Sequence, residues 1–328
     1  MKKIILITLS LLLISSFLIA NEFSAYYSSK RIDKGVGSER YWHLRDIYLD
    51  WEFQNISTAL NITELTANPP KMQVEAGWIK FNLLTSYFSS MQRYEWFTLD
   101  MQAGKAYFPF GRVSPYASQN ISVFQPSTYG NDWMINLIGK YCSRYHFNLY
   151  WADGGKEDGS KDDPSTIGAR TQIDVGDLSV GLSYKIKNWY DNEDFSWDDK
   201  SYHDYGIDLI WHYHNIFKIN TQIYRLDDLD DNNDINYFLL ASYQKGFMLP
   251  FFKKTIPYLG YFSKNDAVNN DAASESNIIV GMNMSPHDNI FMKLEYNYDS
   301  LDNNDPNVLS KHNLNVSNAL SFEFGLLF

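Results

Sequence analysis

A two-residue alternation of apolar and polar side chains recurs along this chain and dictates its class of fold. In "DIYLDWEF", Ile47, Leu49, Trp51 and Phe53 share one face, against Asp46, Tyr48, Asp50 and Glu52. "YHFNLYWA" sets Tyr145, Phe147, Leu149 and Trp151 against His146, Asn148 and Tyr150. "LSVGLSYKIK" sets Leu178, Val180, Leu182, Tyr184 and Ile186 against Ser179, Gly181, Ser183, Lys185 and Lys187. "GIDLIWHYH" and "IFMKLEYNY" repeat the pattern, with Asp208, His212 and His214 and then Lys293, Glu295 and Asn297 on the polar faces. Successive side chains of a strand point to opposite faces, so each segment reads as a strand with one apolar side. Charges and glycines on the second face suit a wet interior better than the core of a sandwich.

Such two-faced strands need an apolar medium outside them. Aromatic residues make up 16 % of the chain, with 24 Tyr, 21 Phe and 9 Trp, yet the mean hydropathy is polar at −0.36. A transmembrane β-barrel has this composition, because aromatic girdles mark both interfaces and apolar residues occupy every second position. Lys2, Lys3, the apolar run Ile4–Ile19 and the small Ala20 follow the three-part pattern of a secretory signal peptide over residues 1–20. No later run approaches the ~20 apolar residues of a spanning helix. Cys142 is the only cysteine, so an intrachain disulfide is excluded.

Strands are expected near 23–30, 42–53, 55–64, 72–82, 95–107, 132–142, 144–152, 165–174, 178–189, 203–214, 217–226, 235–245, 255–264, 276–285, 289–299 and 318–328, sixteen in all. Fourteen is the alternative if the weak segments 23–30 and 55–64 fail. The whole of 21–328 reads as one antiparallel transmembrane barrel. Short turns near Ser143–Arg144, Val175–Asp177, Asn215–Ile216 and Ser285–Asn289 alternate with longer acidic connections, the asymmetry of periplasmic turns and outer loops. The segments 153–164, 191–200, 227–234, 264–275 and 299–317 hold 21 acidic and 5 basic residues, a net of −16, while the chain as a whole carries −11. The wall is therefore slightly basic, and the low sequence pI says nothing about a channel inside it. These acidic segments lack the spacing of an EF-hand loop. No metal site, cofactor or nucleic-acid partner is expected.

Two stretches carry resemblances. "NALSFEFGLLF" places Phe322, Phe324, Leu326 and Phe328 on one face and ends on an aromatic. It resembles the C-terminal signal by which bacterial outer-membrane proteins address the barrel-assembly machinery. "GKAYFPFG", residues 104–111, looks like the G-(K/R)-x-x-x-P-F-G segment of the siderophore-uptake and phosphate-selective porins, and "QVEAGWIKFN" (73–82) resembles the strand before it. The resemblance covers roughly residues 72–135. It implies a Gram-negative outer-membrane porin: a passive channel for small hydrophilic solutes or ions, set in a lipid bilayer with lipopolysaccharide, with a homotrimer as one assembly. The third loop here is not Lys- or Arg-rich, which argues against phosphate preference.

Strand parity makes residues 108–131 the third outer loop. In sixteen-stranded general porins that loop folds into the lumen and sets the constriction. Phe108, Phe110, Tyr116 and Phe124 suit packing on an inner wall, Pro109 resists further pairing, Gly111 permits a bend, and Asn120 offers a polar face to the channel. Arg112 is the only charge between Lys105 and Asp132. On the inward faces, Lys140, Arg170, Lys185, Lys187 and Lys218 are expected to face Asp46, Asp50, Glu52, Asp100 and Asp208 across the lumen. A structural or adhesive barrel and an outer-membrane hydrolase are the alternatives. No Ser–His spacing matches the barrel phospholipases and G-x-S-x-G is absent, so the chain reads as a non-enzyme.

Overall fold

The computed structural model describes residues 22–33, 41–53, 56–65, 71–83, 96–110, 131–152, 165–191, 196–227, 233–266, 273–301 and 319–327. Sixteen long strands and one short one follow in order. They are β1 (Glu22–Asp33), β2 (Tyr41–Phe53), β3 (Ile56–Leu65), β4 (Lys71–Asn82), β5 (Phe97–Tyr107) and β6 (Asn131–Tyr141). Next come β7 (Tyr145–Ala152), β8 (Ser165–Val175), β9 (Leu178–Asp191), β10 (Ser196–Tyr213), β11 (Phe217–Asp227) and β12 (Asn233–Tyr243). The three-residue β13 (Phe247–Leu249) precedes β14 (Phe252–Asp266), β15 (Ala273–His287), β16 (Ile290–Leu301) and β17 (Ala319–Leu327).

Each long strand pairs antiparallel with its sequence neighbours, β12 pairing with β14 past the short β13. β1 takes β2 on one side and β17 on the other, with pairs running from Tyr26–Leu327 to Asp33–Leu320. The ladder therefore returns to its start, and sixteen strands form an antiparallel barrel. Both weak segments are strands, so the fourteen-strand alternative falls.

The alternation holds in three dimensions. On β10, Tyr202, Asp204, Gly206, Asp208 and Ile210 are buried, whereas Tyr205, Ile207, Trp211 and Tyr213 are exposed on the outside. Outward aromatics collect at both rims. Trp96, Tyr141, Tyr145, Trp211, Tyr213 and Phe217 ring the end that carries the tight turns, where Trp96 and Tyr141 meet edge to face at 5.4 Å and Trp211 and Tyr213 at 5.3 Å. Trp133, Tyr184 and Tyr205 mark the other rim, and Ile135, Leu149, Ile207, Ile223 and Leu239 fill the band between. This is the outer surface of a membrane barrel.

Four cross-strand pairs set an aromatic ring over a glycine: Phe147 on Gly139, Tyr150 on Gly168, Tyr258 on Gly281 and Phe291 on Gly325. A Cβ at any of these glycines would lie 2.0–2.3 Å from the ring facing it. The glycines that seem to weaken the strands are seats for neighbouring rings.

The strands run further toward the loop end than the pattern suggests. β10 begins at Ser196 and β9 reaches Asp191, so most of the expected loop 191–200 belongs to strands. Likewise β14 extends to Asp266 and β15 starts at Ala273. Above a membrane both faces of a strand are wet, so polarity no longer alternates and the sequence resembles a loop.

At the opposite end, Cys142 and Ser143 (φ 51° and 57°) and His214 and Asn215 (φ 49° and 55°) are left-handed and begin three-residue hairpin connections, Tyr141 pairing with Tyr145 and Tyr213 with Phe217. Arg144 N–H donates to Tyr141 O at 3.1 Å and Ile216 N–H to Tyr213 O at 2.8 Å. Mirror-image turns of this type match strand twist but favour Asn-Gly. Cys142→Asn combined with Ser143→Gly is therefore expected to stabilise the barrel by about 1 kcal/mol, since each left-handed non-glycine residue costs that order. A urea-unfolding midpoint that does not rise would show the Cys-Ser turn to be unstrained. At the Asp288–Asn289 turn, a hydrogen bond from Lys253 Nζ at 2.8 Å holds the Asp288 carboxyl below the usual carboxylate range. That attraction is present at neutral pH and disappears as pH falls through the lowered value.

Candidate functional site: the inner wall

Inward parity gathers charge on two opposite arcs. On the first, β8, β9 and β10 contribute Arg170, Ser183, Lys185, Lys187, Asp204 and Asp208. Arg170 binds Asp208 through both guanidinium nitrogens, at 2.5 and 2.9 Å, and donates to the Ser183 hydroxyl at 3.2 Å. Two rows closer to the loop end than Asp208, Asp204 accepts from Lys185 and Lys187 at 3.0 Å each and from the Asp227 backbone N–H at 2.9 Å. Three cations and two carboxylates leave this arc at +1. The space for the bidentate pair comes from Gly181, where a Cβ would lie 2.4 Å from the Asp208 carboxylate and 2.6 Å from the Arg170 guanidinium.

On the second arc, β16 and β17 place Lys293, Glu295 and Glu323 together. Lys293 Nζ lies 3.6 Å from Glu323, and Tyr258 donates to Glu295 at 2.9 Å from β14. These three described side chains sum to −1, and Lys30 of β1 stands in register with Glu323. Seven strand-to-strand steps separate β9 from β17 on the sixteen-strand ring, so the arcs face each other nearly diametrically.

The expected residues distribute unevenly over this wall. Asp208 was expected to oppose the basic arc, but it stands within that arc, bound to Arg170. Asp100 on β5 has its own cation, Lys80 of β4, at 3.9 Å. Asp50 pairs in register with the buried Ala59, and Glu52 is exposed at the turn end of β2. Lys140 is exposed opposite His146, and the half-buried Lys218 lies between His212 and Ser242. Asp46 has its place in the β1–β2 ladder, and its side chain lies outside the described residues. On β17, Phe322, Phe324 and Leu326 face outward, alternating with the buried Ser321, Glu323 and Gly325; Phe328 falls outside the described residues.

Asp204, Lys293, Glu295 and Glu323 were missed as site residues. Lys293, Glu295 and Glu323 sat on faces already read as polar, and Asp204 needed the β10 alternation extended two residues upstream. What the alternation could not supply is which polar faces meet.

The loop after β5 starts by turning inward. Phe110 N–H donates to Phe108 O at 2.8 Å, a tight turn about Pro109. The Phe108 ring packs 5.7 Å from Tyr150 of β7. Phe110, 1 % exposed, lies over Gly206 of β10, where a Cβ would approach its ring to 3.2 Å. The Lys185 ammonium stands 5.4 Å from the Phe108 centroid and 5.0 Å from that of Phe110. Three residues thus carry the chain from the rim of β5 to the inner faces of β7, β9 and β10. Gly111, Arg112, Tyr116, Asn120 and Phe124 lie outside the described residues.

No family model matches the chain, and no curated protein matches it by sequence. Solved structures match its fold. OmpF of Salmonella typhi, solved with daunomycin, aligns with TM-score 0.67 at 11 % identity, covering 94 % of this chain and 97 % of its own. The outer membrane channel DcaP of Acinetobacter baumannii gives 0.64 at 10 % identity, over 94 % and 96 %. The trimer form of the Vibrio cholerae outer membrane protein OmpT gives 0.61 at 9 % identity, over 94 % and 98 %. The architecture built here from alternation, rim aromatics and ladder is that of the sixteen-stranded outer-membrane barrels.

Proposed function

We propose that the chain is an outer-membrane porin, a water-filled channel for passive diffusion of small hydrophilic solutes or ions. The observation that carries this reading is the inward turn of Phe108–Phe110 onto the inner wall, inside a barrel of a size that leaves an aqueous lumen. Residues 1–20 are read as a signal peptide that directs residues 21–328 to the outer membrane, as a single barrel domain. The C-terminal strand would address the assembly machinery, the outer loops would meet lipopolysaccharide, and a homotrimer is the assembly to look for.

The chain is read as a non-enzyme. Among the described residues its nearest approach to a catalytic constellation is His146, Asp174 and Ser179 near the tight-turn end. There His146 lies 3.1 Å from Asp174, and the Ser179 hydroxyl donates to the same carboxylate instead of to the imidazole. That leaves no nucleophile–base pair.

Refolded protein in a planar bilayer is expected to give stepwise ion conductance; a silent membrane would leave the structural or adhesive barrel as the better reading. Arg112→Glu is expected to move the reversal potential toward cations, and an unchanged potential would remove Arg112 from the pore.

A further inference from the structure

The connection after β12 departs from the other described turns at its end of the barrel. Those turns are short, as between the paired residues Val175 and Leu178 or Tyr213 and Phe217. Between Tyr243 and Phe252 the chain instead builds an extra hairpin. Phe247 pairs with Thr255 and Leu249 with Phe252, so Pro250 and Phe251 form its tip. Met248 and Phe251, at 81 % and 93 %, are the most exposed large apolar side chains among the described residues, and Phe247 is exposed behind them.

Phe251 is also strained. Its φ is 74°, and a turn with proline first takes a left-handed residue second, where glycine is the ordinary choice. A bulky side chain in that conformation is an outlier. Nothing within the chain offsets the strain, because the ring is almost wholly uncovered. Its presence makes sense when something outside the chain covers it.

Position and charge mark what that is. Tyr243, where the connection leaves β12, packs its ring 5.3 Å from that of Phe217 on the aromatic rim, and its carbonyl accepts from Gly246 N–H at 3.1 Å. The apolar tip is thus continuous with the girdle that marks the membrane surface. Residues 244–257 hold Lys245, Lys253 and Lys254 and no carboxylate. Lys253 is held by Asp288 of the next turn at 2.8 Å, which braces the hairpin. The stem of Lys254 passes beside Gly246, where a Cβ would lie 3.3 Å from its Cγ, and this brings it next to Lys245. Both lysines are exposed, and among the described residues neither has an acidic partner.

Neighbouring ammonium groups beside an exposed apolar tip match an anionic phospholipid, whose phosphate meets the lysines and whose acyl chains cover the ring. A neutral lipid would cover Phe251 and leave the lysines unused. An acidic protein surface would answer the lysines but not the continuity of the tip with the lipid-facing rim. We propose that the β13–β14 hairpin binds anionic phospholipid in the leaflet at the tight-turn end, anchoring that side of the barrel. This holds whether or not the barrel conducts, so bilayer conductance tests the channel reading separately.

Full-length protein with Cys142→Ser and Met248→Cys carries a single nitroxide on the hairpin. The label's access to oxygen and to an aqueous nickel chelate reads its depth. In vesicles of equal parts phosphatidylcholine and phosphatidylglycerol it is expected in the lipid, reached by oxygen and shielded from nickel. In phosphatidylcholine alone it is expected nearer to water. Lys245→Gln with Lys254→Gln is expected to abolish that difference. The same pair should weaken phosphatidylglycerol retention in neutral micelles, read by native mass spectrometry, about thirtyfold, at about fivefold per lysine. Phe251→Gly suits the left-handed backbone, so heat-modifiable mobility should stay that of the folded barrel while the label moves toward water. A label equally deep in both vesicles and unmoved by the lysine variants overturns the anionic site. A label open to nickel in both vesicles overturns membrane docking altogether and leaves the tip to a protein partner.

Discussion

Replacing Asp208 with alanine is expected to destabilise the barrel by about 3–5 kcal/mol, the cost of leaving one member of a buried ion pair without its partner. Arg170 and Asp208 are 7 % and 1 % exposed, and their two hydrogen bonds use the full fork of the guanidinium. Without Asp208, Arg170 keeps only the Ser183 hydroxyl. The loss should appear as a lower urea-unfolding midpoint followed by tryptophan fluorescence. Arg170→Leu alone should lose a similar amount, by taking away the bidentate partner of the buried carboxylate. The double variant Arg170→Leu with Asp208→Leu should recover a large part of either loss, because it removes the uncompensated charge as well as the bond. If the double variant falls as far as the sum of the singles, the two residues act independently and the pair is not what holds β8 to β10.

The second large effect concerns the loop. Phe110→Ala is expected to cost about 3 kcal/mol, the lower end of the range for truncating a buried phenylalanine. It should also raise single-channel conductance by freeing the first turn of the loop from the wall. The ring is covered on one side by Gly206 and approached by Lys185. Its removal therefore leaves a hole over Gly206 and takes the cation–π partner from Lys185. Gly206→Val offers a check from the other side, since its Cβ would meet the ring at 3.2 Å and displace it without altering the loop sequence. Raised conductance in both variants supports a Phe110 seat that positions the loop. If stability falls while conductance is unchanged in both, Phe110 serves only as packing.

Much of this could be read before any coordinates. β10 and β16 show why: both are lipid-facing on one side and wet on the other, so their sequences report each face at every second residue. The same rule broke down in two places. In "SWDDKSY" polarity does not alternate, and a strand looked like a loop. In "YFLLA", Phe238 and Leu240 point inward while Tyr237 and Leu239 point outward, so an apolar run concealed its own period. The four ring-over-glycine pairs were likewise invisible, because a glycine in one strand is explained by an aromatic in the next.

The local terms follow from residues near one another in the chain. Alternation set the strands and their two faces, aromatics marked the rims, and short turns gave the order of up and down. Those are properties of residues close in the chain, and a period of two is enough to express them. Which inward residues meet is a matter of how the strands pair. Ladder register put Asp208 with Arg170 instead of opposite it, brought Glu323 to Lys293, seated Phe110 on Gly206 and aligned Gln222 with two phenylalanines. Register depends on pairings between strands, and a shift of two residues keeps every face correct while changing every neighbour. The pattern in one strand is blind to that shift.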